Sequence, residues 1–154
     1  MGLERQDVQR TTPSGMTFEQ FIKDVAGKAK LNVQVKGPDM IMVPWDLAEG
    51  RKQNTFVRPL GSTGVGLIVS FFSPTRKIVT GSELDLATTL ELLRKNARIP
   101  HGAWAIASVL GEEYLGVQDT QIAHTMQPEE FYASALVVAK IADELEQKLG
   151  TDTY

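Results

Sequence analysis

The sequence predicts an α+β domain: an antiparallel sheet of about five to six strands with three helices, in the order helix, strands, helix, strands, helix. Three observations predict it. Apolar residues recur at helical spacing in three segments. β-Branched and aromatic runs fill the intervals between those segments. The connections within each interval are too short to hold a crossover helix, so neighbouring strands must pair antiparallel. Hairpin-rich intervals of this kind leave the helices chiefly on one face of the sheet.

Residues 1–15 are polar, end in Thr11-Thr12-Pro13-Ser14-Gly15 and show no period, which predicts a flexible lead-in before a single domain over residues 16–150. Thr17 and Gln20 form a T-x-x-Q capping box, and Met16 is placed to staple against Phe21. Phe18, Phe21, Ile22, Val25 and Ala29 then share one face of a helix over 18–29. Val33 and Val35 alternate with polar neighbours up to the Gly37-Pro38-Asp39 turn, and Met40 to Trp45 reads as the returning strand. Lys52 to Leu60 is a weaker strand, and Val65 to Phe72 is the clearest strand in the chain. Ser82 is placed to cap a second helix over 83–97 with Leu86, Leu90, Leu93 and Ala97 on its apolar face, ended by Pro100. Gly102 to Leu110, the Gly111-Glu112 turn and Glu113 to Gln118 form another hairpin, with a short strand expected over 121–124. Pro128 opens a third helix whose seam runs Phe131, Ala135, Val138, Ala142, Leu145 and Leu149, with Gly150 as the stop.

The charge balance, 16 Lys and Arg against 19 Asp and Glu, leaves a net charge of -3, a poor match to a polyphosphate. Nucleic acid is therefore not an expected partner. The chain has no cysteine, which excludes disulfides and thiol chemistry. The start of the chain lacks an apolar leader and no run reaches a bilayer's span, so a cytoplasmic protein with no membrane partner is expected.

Chemistry is hard to assemble from these residues. The chain's two histidines, His101 and His124, read as turn and loop residues, and no H-E-x-x-H or comparable metal-binding spacing occurs. Gly61-Ser62-Thr63-Gly64-Val65-Gly66 looks like a phosphate cradle, but a strand follows it where a helix N-terminus is required, so it reads as a hairpin connection. No catalytic residue, metal or cofactor is expected.

A binding role is suggested by the strands themselves. A sheet with one wet face should alternate apolar and polar residues. Here Ile41, Val43 and Trp45 oppose Met40 and Met42, Leu67, Val69 and Phe71 oppose Ile68 and Phe72, and Trp104 and Ile106 oppose Ala105, Ala107 and Val109. Three helices cover one face, so the other should expose an apolar patch that a second copy or a client covers. A sheet curled enough to bury both faces within one subunit is the competing explanation.

The stretch Asn96-Ala97-Arg98-Ile99-Pro100-His101-Gly102-Ala103-Trp104-Ala105-Ile106 resembles the N-A-x-x-P-x-G-A-x-A segment of YbjN-like proteins, which share the type III secretion chaperone fold. Ala139 to Glu146 resembles that group's closing helix, with its A-x-x-A-D-x-L-E run. The resemblance implies a small acidic protein, commonly a homodimer, that binds protein segments and carries no catalytic residues. The leading expectation is thus a non-catalytic, homodimeric protein-binding module, chaperone-like or regulatory, with an unidentified protein client and Ile41, Val43 and Trp45 as the partner-facing row. The alternative is a small-molecule sensor whose pocket, between the sheet and the second and third helices, is lined by Trp104 and Phe72.

Overall fold

A computed structural model describes residues 12–149 of the chain. Residues 1–11 of the expected lead-in over 1–15, the side chain of Leu149 and the Gly150 stop lie outside the described part. After a 3-10 turn at Pro13–Gly15 come α1 (Phe18–Lys28), β1 (Gln34–Gly37) and β2 (Met40–Asp46). A second 3-10 turn at Ala48–Gly50 leads to β3 (Lys52–Thr63), β4 (Gly66–Lys77), α2 (Leu86–Asn96), β5 (Ala103–Val109), β6 (Glu112–Ile122) and α3 (Pro128–Leu149). The six strands form one antiparallel sheet in the order β1-β2-β3-β4-β6-β5. The α+β class and the order of elements are as the sequence predicts.

Local chemistry explains most of the boundaries. The Thr17 and Gln20 capping box forms in both directions, at 3.2 and 3.1 Å. Thr63 to Gly66 is a hairpin turn, with the His124 ring against Gly66: a Cβ there would lie 2.5 Å from the imidazole Nδ1. Residues 112–122 form one strand where the sequence suggested two, because β6 lies between β4 and β5 and bonds to both along most of its length. α2 starts later than expected. Its cap is Asp85, whose carboxylate accepts the Thr88 N–H at 2.6 Å, and Ser82 sits in the preceding turn.

α3 lies on the face that carries Thr55, Phe71, Thr75 and Gln121. The Phe131 ring meets Phe71 edge-on at 5.3 Å, and the Thr55 and Thr75 hydroxyls donate to the Ala135 and Ala142 carbonyls at 2.6 and 3.3 Å. Gln121 donates to the Ser134 hydroxyl at 2.9 Å. Phe131, Ala135, Val138 and Ala142 are buried in one cluster with the apolar face of α1, with Leu67, Val69, Phe71 and Val117 of the sheet, and with Leu92 of α2. At the far end of α3 this face becomes polar. Arg51 Nε meets Asp143 Oδ1 at 2.7 Å, and Gln53, fully buried, donates to the Ser73 hydroxyl and the Pro74 carbonyl.

The opposite face of the sheet does not present the broad apolar patch that the strand pattern suggested. None of the three helices in the described residues lies on it, yet Met42, Ser70, Phe72 and Pro74 are buried there. Curvature buries them. β3 and β4 each carry a bulge immediately after a proline, at Pro59/Gly61 and Pro74/Arg76, and a bulge bends a strand and deepens its twist. Arg58 of β3 consequently donates to the Ser108 carbonyl of β5, although β4 and β6 lie between those strands. In a flat sheet three strand spacings would separate them by about 14 Å, beyond the reach of an arginine. Gly116 completes the concavity, since a Cβ there would lie 2.3 Å from the Ser73 carbonyl oxygen and 2.5 Å from the tip of the Phe72 ring.

Candidate interaction surface

The row Ile41, Val43 and Trp45 does not face a partner. Ile41 and Val43 are 0% exposed, within the cluster beneath α1 and α3. Trp45 is half-buried, donates its indole N–H to Thr55 Oγ1 at 3.0 Å and meets Tyr132 of α3 edge-on at 5.7 Å. The alternation in β2 was legible from the sequence. Which parity receives the helices was not, because both parities are apolar.

Outward-facing apolar surface is found instead on α2 and the adjoining edge strand. Leu86 is 73% exposed, Leu93 59%, Leu90 38%, and Ile106 of β5 53%. The sequence placed Leu86, Leu90 and Leu93 on the core side of this helix, but the structure turns that stripe outward and buries Leu92 in its place. Asn96 sets the orientation. Its carboxamide accepts the Trp104 N–H at 2.6 Å and donates to the Trp104 carbonyl at 3.1 Å, as a neighbouring strand would. With 100° between successive helical residues, the Thr89-Leu92-Asn96 row on β5 leaves the Leu86-Leu90-Leu93 row about 100° away. The helix therefore docks by its more polar side, and an apolar groove of about 220 Å3 runs between it and β5, with Leu84, Leu93, Trp104, Ile106 and Leu115 in its walls.

These contacts also give physical work to two residues of the N-A-x-x-P-x-G-A-x-A stretch. Asn96 clamps α2 to β5. Gly102 turns the chain from helix to strand at φ +87°, a left-handed conformation that strains any side chain, and a Cβ there would press on the Gln118 carbonyl and Val117 at 3.4 Å. His101 between them contacts Asp119 on β6 through Nε2 at 2.6 Å.

Trp104 and Phe72 do not share a pocket. Phe72 packs on Gly116 at the concave face, while Trp104 lies under α2 on the helical face. Trp104 also lines a second groove of about 350 Å3 between the C-terminal ends of α2 and α3, where Lys95, Arg98 and Lys148 stand at the rim with Glu144. Among the described residues, no cluster of three His, Asp or Glu side chains is spaced to hold a metal ion, and no helix is long and apolar enough to cross a membrane.

The chain matches no protein-family model and no curated protein.

Proposed function

We propose that the chain is a non-catalytic protein-binding module, chaperone-like or regulatory, that works in the cytoplasm and docks its partner on the outward face of α2 and the adjoining β5. One observation carries the reading: Leu86, Leu90, Leu93 and Ile106 turn large apolar side chains to water. Scattered apolar residues on a surface are ordinary, whereas a contiguous row on one helix beside a sheet edge marks an interaction site. The likeness of residues 96–106 and 139–146 to YbjN-like proteins supports a partner-binding role over a catalytic one. So does the lack of cysteine, which removes thiol nucleophiles from the chain.

The test compares the wild-type chain with the double variant Leu86→Glu/Leu93→Glu as baits in extract from the source cells. A protein bound stoichiometrically by the wild type and lost by the folded variant is the expected result. Identical captures by both baits would remove the surface from consideration.

A second reading, a small-molecule binding domain, has one observation in its favour: the groove beside Trp104 joins an aromatic wall to the cationic rim of Lys95, Arg98 and Lys148. An aromatic carboxylate held there far above its dissociation constant would raise the melting temperature, and a Trp104→Ala variant would lose that response.

A further inference from the structure

We infer that the concave face of the sheet carries a binding site for an aliphatic carboxylic acid, whose carboxylate is gripped by the Arg58 guanidinium and the Ser70 hydroxyl. The site lies on the face away from α2, α3 and the Trp104 groove, so the inference goes beyond both readings above and rests on neither. Arg58 stands in the middle of β3, and its guanidinium crosses the hollow to donate to the Ser108 carbonyl of β5. That acceptor is neutral, and among the described residues no carboxylate lies within ion-pair distance of the guanidinium. The acids at the end of the same face, Asp46 and Glu112, pair with Lys52 at 3.0 Å and Lys77 at 3.2 Å. Burial draws the Arg58 pKa below its usual value, so this cation has given up water without gaining an opposite charge. A hydrogen bond to an ionised acceptor is about twice as strong as one to a neutral group, so a carboxylate entering the hollow displaces the Ser108 carbonyl.

Ser70 supplies a second, independent observation. It is the Cα partner of Arg58 across β3 and β4, and residues directly opposite share a face with their Cβ atoms about 5 Å apart. Ser70 is fully buried, yet its hydroxyl hydrogen-bonds to none of the described residues. Buried hydroxyls rarely stay without a partner. An acceptor held between this one and a guanidinium released from Ser108 takes a bond from each. A single guanidinium balances a single negative charge, which favours a carboxylate over a phosphate dianion. The neighbouring positions set the rest of the ligand. Met42, Phe56 and Phe72 form the adjoining cross-strand row, and Gly116 and Ala105 beyond them add almost no side-chain bulk. An aliphatic chain packs against methionine and phenylalanine without bringing a polar group that the hollow would leave unsatisfied.

A dansyl-labelled undecanoate titrated into the full chain tests the site. The probe should brighten on binding, and unlabelled dodecanoate should displace it. Dodecanol, with the same tail and an uncharged head, should displace it about tenfold less well. Arg58→Gln, which keeps a donor for the Ser108 carbonyl, should bind the probe about tenfold more weakly. Ser70→Ala removes the hydroxyl without opening a large space and should weaken binding by roughly threefold. Trp104→Ala, on the other face, should bind the probe as the wild type does. A wild-type chain that leaves the probe dark, equal displacement by dodecanoate and dodecanol, or full binding by a folded Arg58→Gln would each overturn the inference. If Arg58→Gln does not fold, the comparison of acid with alcohol on the wild type decides alone. Binding lost in Trp104→Ala but kept in Arg58→Gln would transfer the ligand to the groove between α2 and α3, which sinks this site and favours the small-molecule reading there.

Discussion

α2 and α3 both carry apolar side chains at helical spacing, yet one buries its seam and the other turns it to water. The difference lies in what each helix finds beneath it. α3 lies across the middle strands, where Phe71, Val69 and Val117 offer a broad apolar floor and two threonine hydroxyls take hold of its backbone. α2 lies at the rim over β5, and its strongest fixed contact is polar, the Asn96 carboxamide on the Trp104 backbone. A helix held at an edge by a directional clamp takes the orientation the clamp dictates, and its apolar row goes where that orientation leaves it. Helical periodicity reports that a face is apolar; it does not report what the face meets.

The comparison makes unequal predictions for the two helices. Phe131→Ala, which empties the site against Phe71, should cost about 3–5 kcal/mol of unfolding free energy in a denaturant titration. An effect under about 1 kcal/mol would mean α3 is held mainly by its polar contacts. Gly116→Ala should cost about 1–3 kcal/mol, since the added methyl meets a backbone carbonyl that cannot move aside. Asn96→Ala removes both bonds to Trp104 and should cost about 1–2 kcal/mol, with faster amide exchange across α2 and β5 but not across α3. Equal acceleration in both helices would show that the two are one cooperative unit. Leu93→Glu should change stability by no more than about 0.5 kcal/mol, as for an ordinary surface position, while abolishing partner capture. A large loss of stability there would mean that the stripe is core in solution.

The smallest effect is a pH dependence confined to the start of α2. The Asp85 carboxylate is held below its usual 3.8, first by the Thr88 backbone N–H it accepts and then by the Thr88 side chain. A folded-state value below the unfolded one means the carboxylate favours folding at pH above 3.8, and that contribution disappears as pH falls through the lowered value. Circular dichroism should show the helix start fraying in acid, and Asp85→Asn, which keeps a good cap, should lose much of that acid response.

How much of this was written in the sequence can be judged residue by residue. Thr17, Gln20 and Pro128 declared where α1 and α3 begin, because caps and first-turn prolines act on their own backbone. The seam of α3 was equally plain, and the hairpin at residues 63–66 followed from glycines leading into a strand. What failed depended on contacts distant in the chain. Ile41 and Val43 read as a partner row because β2 is apolar on both parities, and only packing chooses between them. The exposed concave face predicted from the strands is closed by bends after Pro59 and Pro74, whose combined curvature appears only when four strands are laid side by side. Asn96 stood in the sequence inside a stretch singled out for its family likeness, but its bonds to Trp104 cross from helix to strand and no periodicity could reveal them.

The hydroxyls of Thr55 and Thr75 take hold of carbonyls seven residues apart on α3, a separation of about 10.5 Å along the axis. Two fastenings at different heights, from neighbouring strands, fix both the slide and the roll of the helix: a shift by a single residue breaks both at once. α3 can therefore leave the sheet only by lifting away whole, which should make its amides together with those of β3 and β4 the last to exchange with solvent. Any breathing needed to admit a partner is thereby directed to α2 at the sheet's rim, held there by the Asn96 carboxamide and the buried Leu92.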